Sequence, residues 1–238
     1  MNILLVHGSF HDERCWQSLA PLLVQRGFKV HTLTLPGHGT NRRNPYLISM
    51  STYAQYVCQK VGSIGSPCIA LGHSMGGFVI SAAAEMKPEI FDSLIYLTAY
   101  IPGIRKSSLM NIQRKFPCKN VHAAITPSIN GFGYIDKEKA KDVFYGKCSE
   151  EVQREAVTFL CPQPLRPTMS RIDWSADRLG TVAKHFIECT EDNAIFIEHQ
   201  RGMVDLMKFD KLISLPSDHS PFFSMPEQLA DGIAGMYS

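Results

Sequence analysis

Short aliphatic runs punctuate the first hundred positions, and amphipathic stretches fill the gaps between them. Ile3 to Val6, Cys68 to Leu71 and Leu94 to Ala99 are apolar without alternation, as expected of strands buried on both faces of a parallel sheet. Phe28 to Leu35 alternates and reads as a further strand, stopped by the breaker cluster Pro36-Gly37-His38-Gly39. Between these, Cys15, Trp16, Leu19, Leu22 and Leu23 recur at helical spacing from about Asp12 to Gly27, with Gly27 placed as a helix C-cap. Tyr53, Val57 and Val61 predict a helix over about 51 to 62, and Gly76 to Met86 another, ended by Lys87-Pro88.

The alternation stops near Pro102. Residues 103–180 hold amphipathic pieces at Lys137 to Tyr145 and Glu150 to Leu160, broken by Gly131-Phe132-Gly133 and by Cys161-Pro162-Gln163-Pro164. This stretch reads as a cap inserted into a core formed by 1–102 and 181–238. Strand periods resume at His185 to Cys189 and Leu212 to Leu215, with a helix between them and a closing helix from about Glu227 to Met236. Such a succession predicts an α/β fold with a doubly wound, mainly parallel sheet, whose sites lie at the carboxyl ends of strands.

Composition narrows the partners. The 238 residues carry a formal charge of +2 with no dense basic run, which disfavours nucleic-acid binding. No stretch approaches the roughly 20 apolar residues of a membrane span, and the opening Met1 to Val6 is too short and uncharged for a signal peptide. The seven cysteines are scattered without a C-x-x-C pair, which argues against zinc or a redox dithiol, and fits reduced thiols in a cytoplasmic setting. Oligomeric state is left open, a homodimer included.

The chemistry-bearing segment is Gly72-His73-Ser74-Met75-Gly76-Gly77, a G-x-S-x-G placed between a predicted strand and a predicted helix. So tight a turn forces small residues two before and two after the serine, and it presents Ser74 Oγ at a helix N-terminus. There, free amides favour the charge that develops on a carbonyl oxygen under attack. His7-Gly8-Ser9-Phe10, after the first strand, supplies a facing loop, so the backbone amides of Ser9 and Met75 are the candidate oxyanion donors. Gly8, His73 and Trp174 are expected to border the substrate.

A base must follow in the order serine, acid, histidine. Of His122, His185, His199 and His219, only His219 follows a strand's carboxyl end. For the acid, Glu191 and Asp192 after Cys189 both remain open on position alone.

Together these residues resemble the plant methylesterase and hydroxynitrile lyase group of the α/β-hydrolase superfamily. The resemblance spans nearly the whole chain and rests on His7-Gly8-x-x-His11 with Trp16, the serine elbow, Cys189-Thr190-Glu191-Asp192 and Asp218-His219. It implies a triad of Ser74, Asp192 and His219, a six-stranded parallel core, a helical cap over about 103 to 180, no metal and no cofactor. Asp12, Glu13 and Arg14 stand where the group usually carries Gly and Trp, which predicts a more charged pocket entrance. The Pro36-Gly37-His38-Gly39 segment resembles a broader hydrolase pattern, so a bacterial relative fits as well as a plant member.

The resemblance implies a serine carboxylesterase acting on small-molecule esters. Cyanohydrin cleavage is the alternative, but in the group it goes with a threonine and a lysine where this chain has Gly8 and Ser220, and without that cation departing cyanide loses its stabilisation. A non-catalytic ligand-binding protein is a third reading; its cheapest sign, a lost triad residue, is absent. Met110, Phe116, Phe132, Tyr134, Phe144, Phe159, Leu160 and Trp174 predict an apolar, largely enclosed pocket that prefers compact hydrophobic acyl groups and serves charged ones poorly.

Overall fold

The computed structural model describes residues 1–103 and 106–237. Its core sheet runs β1 (Asn2–Val6), β2 (Lys29–Leu33), β3 (Cys68–His73) and β4 (Phe91–Leu97), and is completed after the insertion by β10 (Ala183–Cys189) and β11 (Lys211–Leu215). The order across the sheet is β11-β10-β4-β3-β1-β2, with every neighbouring pair parallel. β3 is buried along its whole length and β4 all but so, because helices cover both faces. One apolar cluster joins Leu4, Val6, Phe78 and Tyr96 on one side; the other joins Ile3, Leu5, Trp16 and Phe222 on the opposite side. Consecutive β1 residues therefore alternate between two cores, which is why the strand reads as an unbroken aliphatic run.

The helices Gly76–Met86 and Met50–Ile64 lie where the periodicity places them, the latter opened by a Ser49–Thr52 capping box. The first predicted helix is divided into a 3-10 turn at Glu13–Trp16 and a helix at Leu19–Gln25. Asp12 accounts for that division: its carboxylate accepts from the Arg14 amide at 3.0 Å and so starts a turn of its own.

The insertion differs from the helical cap implied by the resemblance. Besides short helices it holds β5 (Ser107–Ser108), β6 (Ile125–Pro127), β7 (Phe132–Ile135), β8 (Gln163–Pro164) and β9 (Arg171–Ile172). β6, β7 and β8 form an antiparallel sheet, and β5 pairs with β9. The Gly131-Phe132-Gly133 and Pro-rich segments, read as breaks, thus lie at or in paired strands.

Candidate active site

Ser74 sits between β3 and the helix Gly76–Met86 with φ +53, a strained value for a residue with a side chain. The surrounding backbone holds it there. Its amide donates to Leu97 O at 3.2 Å, and its carbonyl accepts from the Gly77 and Tyr100 amides at 3.1 Å each. The flanking glycines are required by contact: a Cβ at Gly72 would lie 2.5 Å from Gly76 O, and one at Gly76 would lie 2.6 Å from Val6 O.

His219 follows β11 and Asp192 follows β10, and both are buried. His219 Nδ1 donates to Asp192 Oδ2 at 2.7 Å, which leaves Nε2 as the free ring nitrogen. The carboxylate is held on both oxygens: Oδ1 accepts from the amides of Ala194 (2.6 Å) and Ile195 (2.8 Å), and Oδ2 accepts a second bond from Thr98 Oγ1 at 2.5 Å. Such a set of donors fixes the position of the carboxylate beside the imidazole. Glu191, the competing acid, turns away to pair with Lys147.

Ser74 and His219 face a common cavity of about 350 Å³. No hydrogen bond joins the two side chains; a nucleophile and its base are often apart before the substrate draws them together. Ser9 lines the same cavity, and the amides of Ser9 and Met75 donate to no acceptor among the described residues. Two unpaired N–H groups beside the serine are what an oxyanion requires.

Three expected substrate contacts do not reach the cavity. Gly8 lies behind the serine, where an added Cβ would come within 2.8 Å of Ser74 Cβ. His73 is fully buried and donates Nε2–H to the His219 carbonyl at 2.8 Å, bracing that loop from behind; burial holds its pKa well below the usual value. Trp174 lies in a separate surface depression with Lys184 and Asp210. The charged entrance is likewise not formed, because Asp12 is buried against Arg14, and neither these two nor Glu13 lines the cavity.

Sequence reasoning missed several contributors. Thr98, at φ +36 after β4, carries no motif that marks it. Phe144 stacks on His219 with ring centroids 5.4 Å apart, and Gln163 extends from β8 to accept from the Phe10 amide at 3.4 Å. Asp218, quoted from sequence beside His219 but given no role there, ties the insertion to the histidine loop, accepting from the Lys147 amide at 2.8 Å and the Ser220 amide at 3.0 Å.

A strand-turn-helix serine, an acid after one later strand and a histidine after the next are paralleled in sequence: residues 3–232 match the alpha/beta hydrolase family. The chain belongs to that family. Among hydrolases of this fold it is similar to a pyrethroid hydrolase from Sphingobium wenxiniae, 31% identical over 98% of this chain and 86% of that protein. It is also similar to methyl jasmonate esterase 1 from Vitis vinifera, 26% identical over 97% of this chain and 93% of the relative. The crystal structure of a pyrethroid hydrolase from Sphingobium faniae superposes with a TM-score of 0.88 at 28% identity, covering 99% of this chain and 96% of that one. Polyneuridine aldehyde esterase, at 22% identity and a TM-score of 0.87, shares the hydrolase fold over 100% of this chain and 99% of its own.

Proposed function

We propose that the chain is a serine carboxylesterase that cleaves small esters with compact hydrophobic acyl groups. The reading is supported by its similarity to a pyrethroid hydrolase and to a methyl jasmonate esterase. In this reading Ser74 Oγ attacks the ester carbonyl while His219 Nε2 takes its proton. The amides of Ser9 and Met75 hold the oxyanion, and the imidazolium, steadied by Asp192, returns its proton to the departing alkoxide. The same histidine then draws a proton from water, which attacks the acyl-enzyme and releases the acid. The observation that carries the reading is the 2.7 Å bond from His219 Nδ1 to a fully donor-occupied Asp192, with His219 facing the cavity shared by Ser74.

Residues 103–180 act in this reading as the cap that sets substrate size, supported by the contribution of Met110, Val121, Ile125, Phe144 and Leu165 to the cavity wall. Cyanohydrin cleavage is disfavoured by Ser220, which is fully buried beside His219 and brings no cation. Seven cysteines, none of them disulfide-bonded, support a reducing, cytoplasmic compartment. Among the described residues no helix is long and apolar enough to cross a membrane.

The test is a panel of short p-nitrophenyl esters, methyl esters and mandelonitrile, run on the wild type and on Ser74→Ala. Ester turnover by the wild type that falls roughly a thousandfold or more in the variant is expected. Undiminished hydrolysis by Ser74→Ala, or cyanide release faster than ester cleavage, would overturn the assignment.

A further inference from the structure

The cap contributes charge as well as size to the cavity, and the charge is of one sign. Met110, Gln113 and Arg114 occupy positions i, i+3 and i+4 of the helix Leu109–Lys115, so a single helical face lines the wall. His122 joins them from the next cap helix, Lys119–Ala124. Among the described residues no aspartate or glutamate lines the cavity. Arg114 is exposed, and its guanidinium makes no hydrogen bond or ion pair with any described residue. A guanidinium in the last turn of a helix complements the helix dipole wherever it points. That role does not account for its place on the wall of an otherwise mostly apolar cavity, which His122 also lines, without a counter-ion among the described residues. A planar fork of N–H donors in such a setting matches a carboxylate, which can accept two of them side by side.

Resting on the esterase reading above, we propose that Arg114 selects esters carrying a carboxylate at the end remote from the scissile bond, such as monoesters of dicarboxylic acids. The apolar middle of the cavity takes the methylene chain, Ser74 takes the ester carbonyl, and the cap helix takes the anion. The preference for uncharged acyl groups expected from the aromatic content of the insertion is thereby limited to the part of the substrate nearest the serine. The inference concerns recognition alone and leaves the bond-breaking steps as described.

The experiment compares monomethyl adipate and monomethyl suberate with methyl hexanoate and methyl octanoate, reading acid release in a pH-stat for wild type, Arg114→Gln and Arg114→Lys. The wild type should show a higher kcat/KM for each half-ester than for its neutral counterpart. That ratio should fall about fivefold in Arg114→Gln, mainly through KM, as expected for an ion pair open to solvent. Arg114→Lys should keep part of it, and 0.5 M salt should weaken it in the wild type. A ratio that Arg114→Gln leaves unchanged, while the neutral esters are still cleaved, overturns the inference and leaves the esterase reading standing. Failure of the wild type to cleave any of the four esters or the p-nitrophenyl panel overturns both.

Discussion

The core and the insertion proposed above as the cap meet at one cavity but are built on different physical terms. In the core, Ser74, Asp192 and His219 each follow a strand of a single parallel sheet, and the chain around them leaves little freedom. Ser74 is held in its strained conformation by three backbone hydrogen bonds, and all the Asp192 acceptor sites described above are occupied. The cap offers strands of two to four residues and a charged, exposed side chain at the cavity wall. Among the polar contacts that join them, Asp218 and Glu191 of the core hold Lys147 of the insertion, and Gln163 of the insertion accepts from the Phe10 amide of the core. The difference suggests a division of labour: core substitutions should act on kcat, and cap substitutions on KM and on the choice of ester.

The comparison is strained most by Asp192→Asn. The amide retains the size but donates where His219 Nδ1–H needs an acceptor, so kcat should fall by about 10²–10⁴-fold, whereas Glu191→Gln should lose less than tenfold. Steady-state kinetics on one good ester, with folding checked by circular dichroism, decides between them; a crippled Glu191→Gln would move the acid to that residue. Next comes Thr98→Val, which removes one of the two donors to Asp192 Oδ2 while keeping the shape. A fall of about tenfold in kcat with KM nearly unchanged is expected, with Thr98→Ser retaining activity, since a hydrogen bond to a charged group is worth about 1.5–3 kcal/mol. Equal losses in the valine and serine variants would point to packing instead.

On the cap side, Phe144→Ala should lower kcat/KM for compact esters by roughly threefold to tenfold and bulky acyl groups by less, because the ring that closes the cavity over His219 is gone. A uniform loss across acyl sizes would erase the proposed division. A separate effect concerns stability rather than turnover. Burial lowers the pKa of His7 and His73 well below the usual value and that of His11 to about 4. Folded values below the unfolded 6.5 mean that the unfolded chain binds protons first as the pH drops. Stability is therefore fully present above pH 6.5 and is lost as the pH falls below it, for His11 down to about pH 4. Thermal melts between pH 7.5 and 5 should show a falling Tm; a flat profile would contradict these buried neutral rings.

The same contrast governs how much was legible in the sequence. Ile3 to Val6 and Cys68 to Leu71 announce buried strands because both faces are covered, and Gly72 to Gly76 announces the elbow because a Cβ at either end collides with backbone. Cap strands as short as Gln163–Pro164 have no period to detect, and Gly131 and Gly133 read as breakers although the chain between them enters a sheet. Thr98 and Phe144 act through contacts with His219 and Asp192 that lie far away in sequence, so no local pattern marks them. Trp174 and His73 were misplaced for the same reason: an apolar or motif residue does not disclose which side of the wall it faces.

The central claim is that Ser74 is the nucleophile, activated by its surroundings. Incubation with a fluorophosphonate, followed by intact-mass and peptide mass spectrometry, tests it without reference to the natural ester. A single phosphonyl adduct on Ser74, formed with loss of fluoride and slowed by at least about a hundredfold in His219→Ala, is the predicted result. An unmodified protein, or an adduct on another residue formed at the same rate in Ser74→Ala, would contradict it.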